Sequence, residues 1–398
     1  MSYENPIILD QPMKLKSLLI ILCTIFSLHA VEDLPSLYKI SAPDGFKSGE
    51  KAFSEVIKIV KDGFYDSKGL KEDDLYYAAI KGILRRISPP ESPNQGKLWS
   101  EQEKAKVYNN LKSKRVFAGI NCVHDKIEGS LTVKSIMDES PAIGKLKKND
   151  RIMRIDGKSL KNISSSELSA LMRGEEGKVV KFKVVRDIEV LDIEIKLKQI
   201  KISYCVSKIL GDVAYLRVKS FSENISKEMK EHLAKYKEKK IEKLIIDLRE
   251  NTGGYFTEGV RSAELFLKKG ASIVSVLRAG SMRTNYYSRN LKPQDFKIAV
   301  LINGRTASSS EILASALKSN DKAVLIGENS YGKAIIEKPF KLSNGYSVKF
   351  SVGAMYNAKG ESWHEDGLSP DIKSSTKFSD KLENDIAVGK ALKYLKEN

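Results

Sequence analysis

The chain has 398 residues, 41% of them hydrophobic and 30% charged, with a formal net charge of +17. That length asks for two or three domains rather than one small core, and the composition excludes a disordered or membrane-embedded chain. The positive charge sits on lysines interleaved with acids, as in KEMKEHLAKYKEKK, with no aromatic-interleaved basic stripe and no zinc-finger spacing. It describes solvated faces and a loose attraction to anionic surfaces, peripheral membrane association included, rather than nucleic-acid recognition.

From Met13 the chain runs MKLKSLLIILCTIFSLHAVEDL: lysines, an apolar stretch, then a small residue at Ala30. This is the layout of a secretory signal peptide whose apolar part is too short for an ordinary membrane span. Residues 1–30 are therefore expected to be a leader cleaved after Ala30, with an uncleaved signal acting as an anchor as the alternative. The preceding MSYENPIILDQP is unusual for such a leader and points to translation starting at Met13. Cys23 follows Leu22, which is bulkier than a lipid-attachment site wants. An exported protein of the periplasm or envelope is expected. Cys122 and Cys205 remain; one pair is no disulfide framework, and both read as small buried hydrophobes, with a bridge between them the minority reading.

Residues 31–115 form a helical region. SEVIKIVKDGFYD and LYYAAIKGILRRI space their apolar residues as one face of a helix, and the loop SPPESPNQGK follows. From 116 to 200 the texture changes to short strands and turns (VFAGINCV, GSLTVKSIM, DRIMRIDGKSL, VVKFKVVR) around one helix from Ser165 to Arg173. From 201 to 375 strands alternate with helices: VAYLRVKSF, ISKEMKEHLAKYKEK, EKLIIDLR, TEGVRSAELFLKK, FKIAVLIN, SSSEILASALKSN and AVLIG. That alternation predicts a mainly parallel sheet covered by helices. Its near-continuous apolar strands predict burial on both faces. Residues 376–398 read as a C-terminal helix. The fold class is α/β and multidomain.

In a parallel sheet the loops after successive strands open on one edge, where such sheets place their sites. Three loops then meet: ENTGG after LIIDLR, NGRTASSS after IAVLIN, and ENSYGK after AVLIG. Taken alone, Ser308 with Glu311 three residues on is an S-x-x-E capping box, and the serines merely begin a helix. The wider chain adds Lys333 and a Gly-Gly pair, which a cap does not need. A serine hydroxyl becomes a nucleophile when a base takes its proton, and a lysine serves when burial lowers its pKa. The oxyanion formed needs preorganised N–H donors. Gly253 and Gly254 allow close backbone approach, and the Ser309 amide opens a helix at its positive end. The parts for acyl transfer are therefore Ser308, Lys333, Gly253 or Gly254, and the Ser309 amide.

At these residues the chain resembles the carboxyl-terminal processing peptidases, or tail-specific proteases, of the serine–lysine dyad type. The resemblance rests on GILRRIS, SPAIGKLKKNDRIMRIDGKSL, GDVAYLRVKSF, LIIDLRENTGG, LINGRTASSSEILASAL, IGENSYGKAIIEK and DGLSPDI, covering most of residues 70–375 in the family's order. It implies Ser308 as nucleophile and Lys333 as general base. The family's glutamine four residues beyond that lysine is Glu337 here, its asparagine-proline-glycine-glycine run is NTGG, and the aspartate-proline-tyrosine pattern is missing from SPPESPNQGKLWS. A carboxylate beside Lys333 would favour the ammonium; Glu337 fits the role if protonated or if it points away along the next strand.

Residues 116–200 resemble a PDZ domain. Such domains bind a peptide's terminal carboxylate on backbone N–H groups of a glycine loop and add the peptide as a strand. That places the carboxylate loop at Phe117, Ala118, Gly119 and Ile120, and the groove between its strand and the helix carrying Leu168, Leu171 and Met172. Ordinary core packing accounts for some of these side chains. Arg173 is a candidate for signalling peptide occupancy, or a solvated cation. His364 in WHEDGLSPDI is the histidine nearest the site loops and reads as a surface group. No metal-ligand spacing or phosphate loop occurs, and no cofactor is expected. The resulting expectation is an exported serine endopeptidase that recognises protein C-terminal tails through its PDZ domain and cleaves by a Ser-Lys dyad through an acyl-enzyme. Its partners would be proteins with accessible tails and an activating adaptor. The alternative is a catalytically silent PDZ-bearing adaptor that keeps the peptidase fold.

Overall fold

The computed structural model describes residues 42, 44, 46–66, 69–88, 96–379 and 381–397; the leader-like segment with Ala30 lies outside them. The chain divides into two units. Of the described residues, one unit takes in those up to Lys104 together with Glu337–Val352; the other comprises Ala105–Ile336 and those from Gly353 onward.

The first unit is built on α1 (Gly49–Gly63) and α2 (Glu72–Arg86). Helix α2 opens on Glu72, Asp73 and Asp74 and closes on Arg85 and Arg86, the charge order that the helix dipole favours. A short strand, β1 (Lys97–Trp99), pairs antiparallel with residues 347–349. The helical reading of 31–115 did not anticipate this strand, because its partner lies far along the chain and a three-residue strand leaves no periodicity. Helix α3 (Glu101–Asn109) follows.

In the second unit, β2 (Lys114–Phe117), β3 (Ile120–Asp125), β4 (Ser130–Ile136), β5 (Arg151–Ile155), β6 (Lys158–Ser159), α4 (Ser165–Leu171), β7 (Val179–Arg186), β8 (Glu189–Lys196) and β9 (Lys198–Lys201) form a β-rich module. Its sheet has the order β3-β4-β5-β7-β8 with antiparallel pairing, while β2 pairs with β9. Strand β7 alternates exposed and buried residues, and its inward Val180, Phe182 and Val184 join Val133, Ile152 and Leu168 in one core. Helix α4 starts on a reciprocal cap: the Glu167 N–H donates to Ser164 Oγ at 3.2 Å and the Ser164 N–H to Glu167 Oε2 at 3.0 Å.

The remainder is a six-stranded sheet in the order β10-β11-β12-β15-β16-β19. Edge strand β10 (Cys205–Leu210) runs antiparallel to β11 (Val213–Val218). From β11 the pairing is parallel through β12 (Lys243–Asp247), β15 (Lys297–Ile302), β16 (Ala323–Gly327) and β19 (Ile372–Lys373). Helices α5 (Ile225–Glu238), α6 (Phe256–Glu264), α7 (Ser309–Ser319) and α8 (Ile386–Glu397) connect or cover it. Side chains alternate along each strand. Leu244, Ile246, Val300 and Ile302 face the cluster that includes Met229, Leu233 and Leu313. Ile245, Ala299, Leu301 and Ile326 face Ala387, Val388, Ala391 and Leu395 of α8. Cover on both faces is why these strands read as continuous apolar runs. Outside this sheet, β13 (Ser272–Arg278) and β14 (Arg283–Tyr287) form a hairpin. The chain then leaves along β17 (Ile335–Lys341) and returns along β18 (Ser347–Tyr356), whose residues 353–356 pair with β13.

Candidate active site

Parallel register places the C-terminal ends of β12, β15 and β16 side by side, with Asp247 opposite Leu301 and Ile302 opposite Gly327. The loops after these strands therefore emerge at one edge, and hydrogen bonds join them. The Ala307 N–H donates to the Asn251 carbonyl at 3.0 Å, and the Tyr331 N–H to the Thr306 carbonyl at 2.9 Å. Thr306 Oγ1 donates to the Leu248 carbonyl at 2.9 Å.

Ser308 sits at the turn from β15 into α7 with φ 58° and ψ −117°. That conformation suits glycine, and a residue with a Cβ holds it at a cost on the order of 1–3 kcal/mol. A strained strand-to-helix turn is a known way to present a serine hydroxyl. Ser308 is half-buried; Ser309, Ser310 and Glu311 behind it are buried. Ser310 Oγ donates to the Asn251 carbonyl at 2.8 Å and Ser309 Oγ to the Gly254 carbonyl at 3.3 Å.

The two glycines differ. Gly253 has φ 96°, and a Cβ there would lie 2.8 Å from the Ala307 oxygen and 2.9 Å from Ser308 Cβ. It therefore lies directly against the serine turn. Its N–H, however, donates to Asn251 Oδ1 at 2.9 Å, which removes it from the donors expected for an oxyanion. Gly254 lies against Phe221, which it bridges as in a parallel sheet. As the first residue of α7, Ser309 has an amide with no acceptor inside the helix. Asn251, fully buried, fixes this corner by also donating its Nδ2 to the Val218 carbonyl at 2.8 Å.

Glu311 joins the serine loop to the lysine loop. Its Oε2 accepts the Ser308 N–H at 2.7 Å and the Lys333 N–H at 2.9 Å. Its Oε1 accepts the Gly332 N–H at 2.7 Å and the Ser330 hydroxyl at 2.6 Å. The backbone nitrogens of Ser308 and Lys333 are thus no farther apart than two hydrogen bonds laid end to end. Burial raises the Glu311 pKa above the ordinary carboxylate value, opposed by these four donors. Lys333 is half-buried. The Gly332 carbonyl accepts the Glu365 N–H at 2.8 Å and lies 3.1 Å from His364 Nδ1, so His364 abuts the lysine loop. Sequence reasoning treated Glu311 as a helix cap and passed over Asn251 and Ser330. The S-x-x-E spacing gave Glu311 away only in part, since its partners at 330–333 follow from the sheet order alone.

Glu337 belongs to the other unit. There it forms an ion pair with Lys349, both side chains largely buried, and the Lys349 ammonium lies 5.3 Å from the Trp99 ring centroid. The expected alternatives for Glu337, protonated or pointing away, did not include this cationic partner.

In the β-rich module, β3 is an edge strand. Ile120 and Leu168 are buried in the core, and Leu171 and Met172 pack against it half-buried. Among the residues assigned to the carboxylate loop, Ala118 is fully buried and its N–H already donates to the Met172 carbonyl at 3.1 Å. Phe117 bridges Arg173 in antiparallel fashion. Gly119 has φ 68°, and a Cβ would lie 2.5 Å from Ile200 Cδ1 and from Ser140 Oγ; the turn requires glycine. Arg173 is exposed, with its pKa lowered by desolvation and by nearby Arg115.

The two described cysteines are free thiols. Burial pushes Cys122 up to about 11 and raises Cys205 as well. Ligand atoms of Cys205, Glu228 and His232 lie within 4.8 Å of one another. The Glu228 carboxylate is taken up by the N–H groups of Cys205 at 3.1 Å and Tyr204 at 3.3 Å, and by the Ser203 hydroxyl. The group thus ties β10 to α5.

Residues 212–374 match peptidase family S41, and residues 116–197 match the PDZ domain. The carboxy-terminal processing protease CtpA of Bacillus subtilis is 30% identical over 337 residues, which are 82% of this chain and 70% of that protein. A CtpA-like serine protease of Staphylococcus aureus is 28% identical over 324 residues, 81% of this chain and 64% of its own length. A solved structure from Bacteroides fragilis, assigned to the S41 proteases, shares the fold. It has a TM-score of 0.55 at 15% identity and covers 90% of this chain and 99% of that one.

Proposed function

The chain belongs to peptidase family S41, that of the carboxy-terminal processing proteases, and on that premise we propose that this serine-type peptidase is an exported endopeptidase that takes proteins by their C-terminal tails. The observation that carries the proposal is Ser308, strained at φ 58° and ψ −117° against Gly253, with the Lys333 backbone tied to its own through one carboxylate.

In the proposed reaction the Lys333 amine takes the Ser308 Oγ proton as Oγ attacks the scissile carbonyl. The amides of Gly254 and Ser309 donate to the oxyanion. The tetrahedral intermediate collapses, the Lys333 ammonium returns its proton to the leaving amine, and an ester to Ser308 remains. A water then attacks that ester, Lys333 again accepting the proton and passing it to Ser308 Oγ as the ester bond breaks and the new carboxyl end departs. Gly253 contributes room rather than a donor.

The tail would add as a strand along the open edge of β3, its last side chain against Leu171 and Met172. These half-buried apolar groups favour an apolar terminus. Arg173 would report occupancy. The strain at Ser308 disfavours a silent adaptor, which would gain stability from glycine at that position. The test uses the full chain, Ser308→Ala and Lys333→Ala with two unfolded substrates, one ending in apolar and one in charged residues. The unmutated protein should degrade the apolar-tailed chain faster, and both variants should bind it without cleaving. Cleavage by a folded Lys333→Ala protein would remove the dyad.

A further inference from the structure

We infer that Glu311 is a positioning residue for the reaction: its single buried carboxylate sets the register between the nucleophile-bearing and base-bearing loops. The inference rests on the Ser308–Lys333 reading above. An ordinary capping box uses one carboxylate oxygen and one N–H of its own helix start. Here both oxygens are used, and three of the four donors come from another loop: the Ser330 hydroxyl and the N–H groups of Gly332 and Lys333. The fourth is the Ser308 N–H. An ionised carboxylate offers about four lone-pair sites, so the four donors saturate it, which is the condition for keeping such a group buried.

Oε2 alone holds both reacting residues, with N–H bonds of 2.7 Å to Ser308 and 2.9 Å to Lys333. Any movement of α7 relative to the lysine loop must therefore stretch a bond to this atom. Ser330 extends the link by accepting the Leu368 N–H at 2.6 Å while donating to Glu311, so residues beyond the lysine loop hold the same carboxylate in place. Reaction rates fall steeply when attacking and accepting groups are displaced by about 1 Å.

Glutamine separates the two roles of Glu311. A capping box accepts Gln as well as Glu. A four-donor staple does not, because an amide NH2 would face two donors on one side. The experiment measures kcat and KM of the full chain, Glu311→Gln, Ser330→Ala and Ser308→Ala on an unfolded, apolar-tailed protein, with tail affinity and thermal midpoint recorded for each. Glu311→Gln should lower kcat at least about 30-fold with KM and tail affinity unchanged within about two-fold, as expected for an effect on the chemical step alone. Ser330→Ala, which removes one donor, should lower kcat by roughly three- to ten-fold in the same pattern. A folded Glu311→Gln enzyme with unimpaired kcat overturns the inference, as does a loss appearing in KM or tail affinity. If Glu311→Gln does not fold, Ser330→Ala decides by the same criteria. Turnover retained by Ser308→Ala overturns both this inference and the dyad; full kcat in Glu311→Gln beside an inactive Ser308→Ala overturns this inference alone.

Discussion

Gly254 and Phe221 meet backbone to backbone: a Cβ on Gly254 would sit 2.2 Å from the Phe221 carbonyl oxygen and 2.6 Å from its carbonyl carbon. The Phe221 N–H donates to the Gly253 carbonyl at 2.9 Å and the Tyr255 N–H returns to the Phe221 carbonyl at 2.8 Å, so the two segments are held together on both sides of the glycine. Gly254→Ala should therefore displace the glycine turn from Ser308 and lower kcat by about two orders of magnitude, in the range seen when an oxyanion donor is lost. Steady-state kinetics beside a circular dichroism spectrum checks this; normal kcat in a folded variant would contradict it.

Strain at Ser308 makes an opposite prediction for stability. Ser308→Gly relaxes φ 58° and ψ −117° and should be more stable than Ser308→Ala by about 1 kcal/mol, while both are inactive. Urea unfolding of the two variants gives the difference directly.

Arg249 carries a buried charge whose loss should be felt at the site. Its guanidinium, fully buried, donates Nη2 to Asp247 at 2.7 Å and to Asp385 at 3.0 Å. Two residues farther on, Asn251 holds the glycine turn. Asp385→Ala leaves the guanidinium half-answered and should cost about 3 kcal/mol or more, because breaking a buried pair strands a charge. Equilibrium denaturation measures it, and a change below about 1 kcal/mol would contradict the role given to the pair.

Asp150 in the PDZ domain predicts an acid limb of stability. Burial alone would raise its pKa, but hydrogen bonds from Arg186 and the Lys147 N–H, with the Arg186 charge, lower it below the ordinary aspartate value. The folded state therefore binds the proton less readily than the unfolded chain. The stability it contributes is present above the unfolded pKa of about 3.9 and is lost as pH falls through the lower folded value. Asp150→Asn should flatten that part of the stability–pH curve, as read from denaturation midpoints between neutral and strongly acidic pH.

Much of this arrangement was legible in the sequence because it follows from period and order. Continuous apolar strands implied two covered faces. Parallel alternation implied that ENTGG, NGRTASSS and ENSYGK share an edge, and their hydrogen bonds bear that out. The short β1 left little trace, since its partner strand lies distant in sequence; the hairpin of β13 and β14 is local, and its strands lie outside the strand–helix alternation that the sequence showed. Gly253 looked like a donor from its type alone; the direction of its N–H depends on the Asn251 side chain, a tertiary contact that no spacing encodes. Glu311 was visible as a cap but not as a link, because three of its four donors lie on another loop.

Among the described residues, the second face of the sheet is covered chiefly by α8, through Ala387, Val388, Ala391 and Leu395. During synthesis Ile245, Ala299, Leu301 and Ile326 are made before residues 386–395, which pack against them in the folded chain. The loops that carry Ser308 and Lys333 hang from those same strands. A nascent chain therefore completes its PDZ domain, residues 116–197, before the sheet that carries the Ser308 and Lys333 loops has its second face covered.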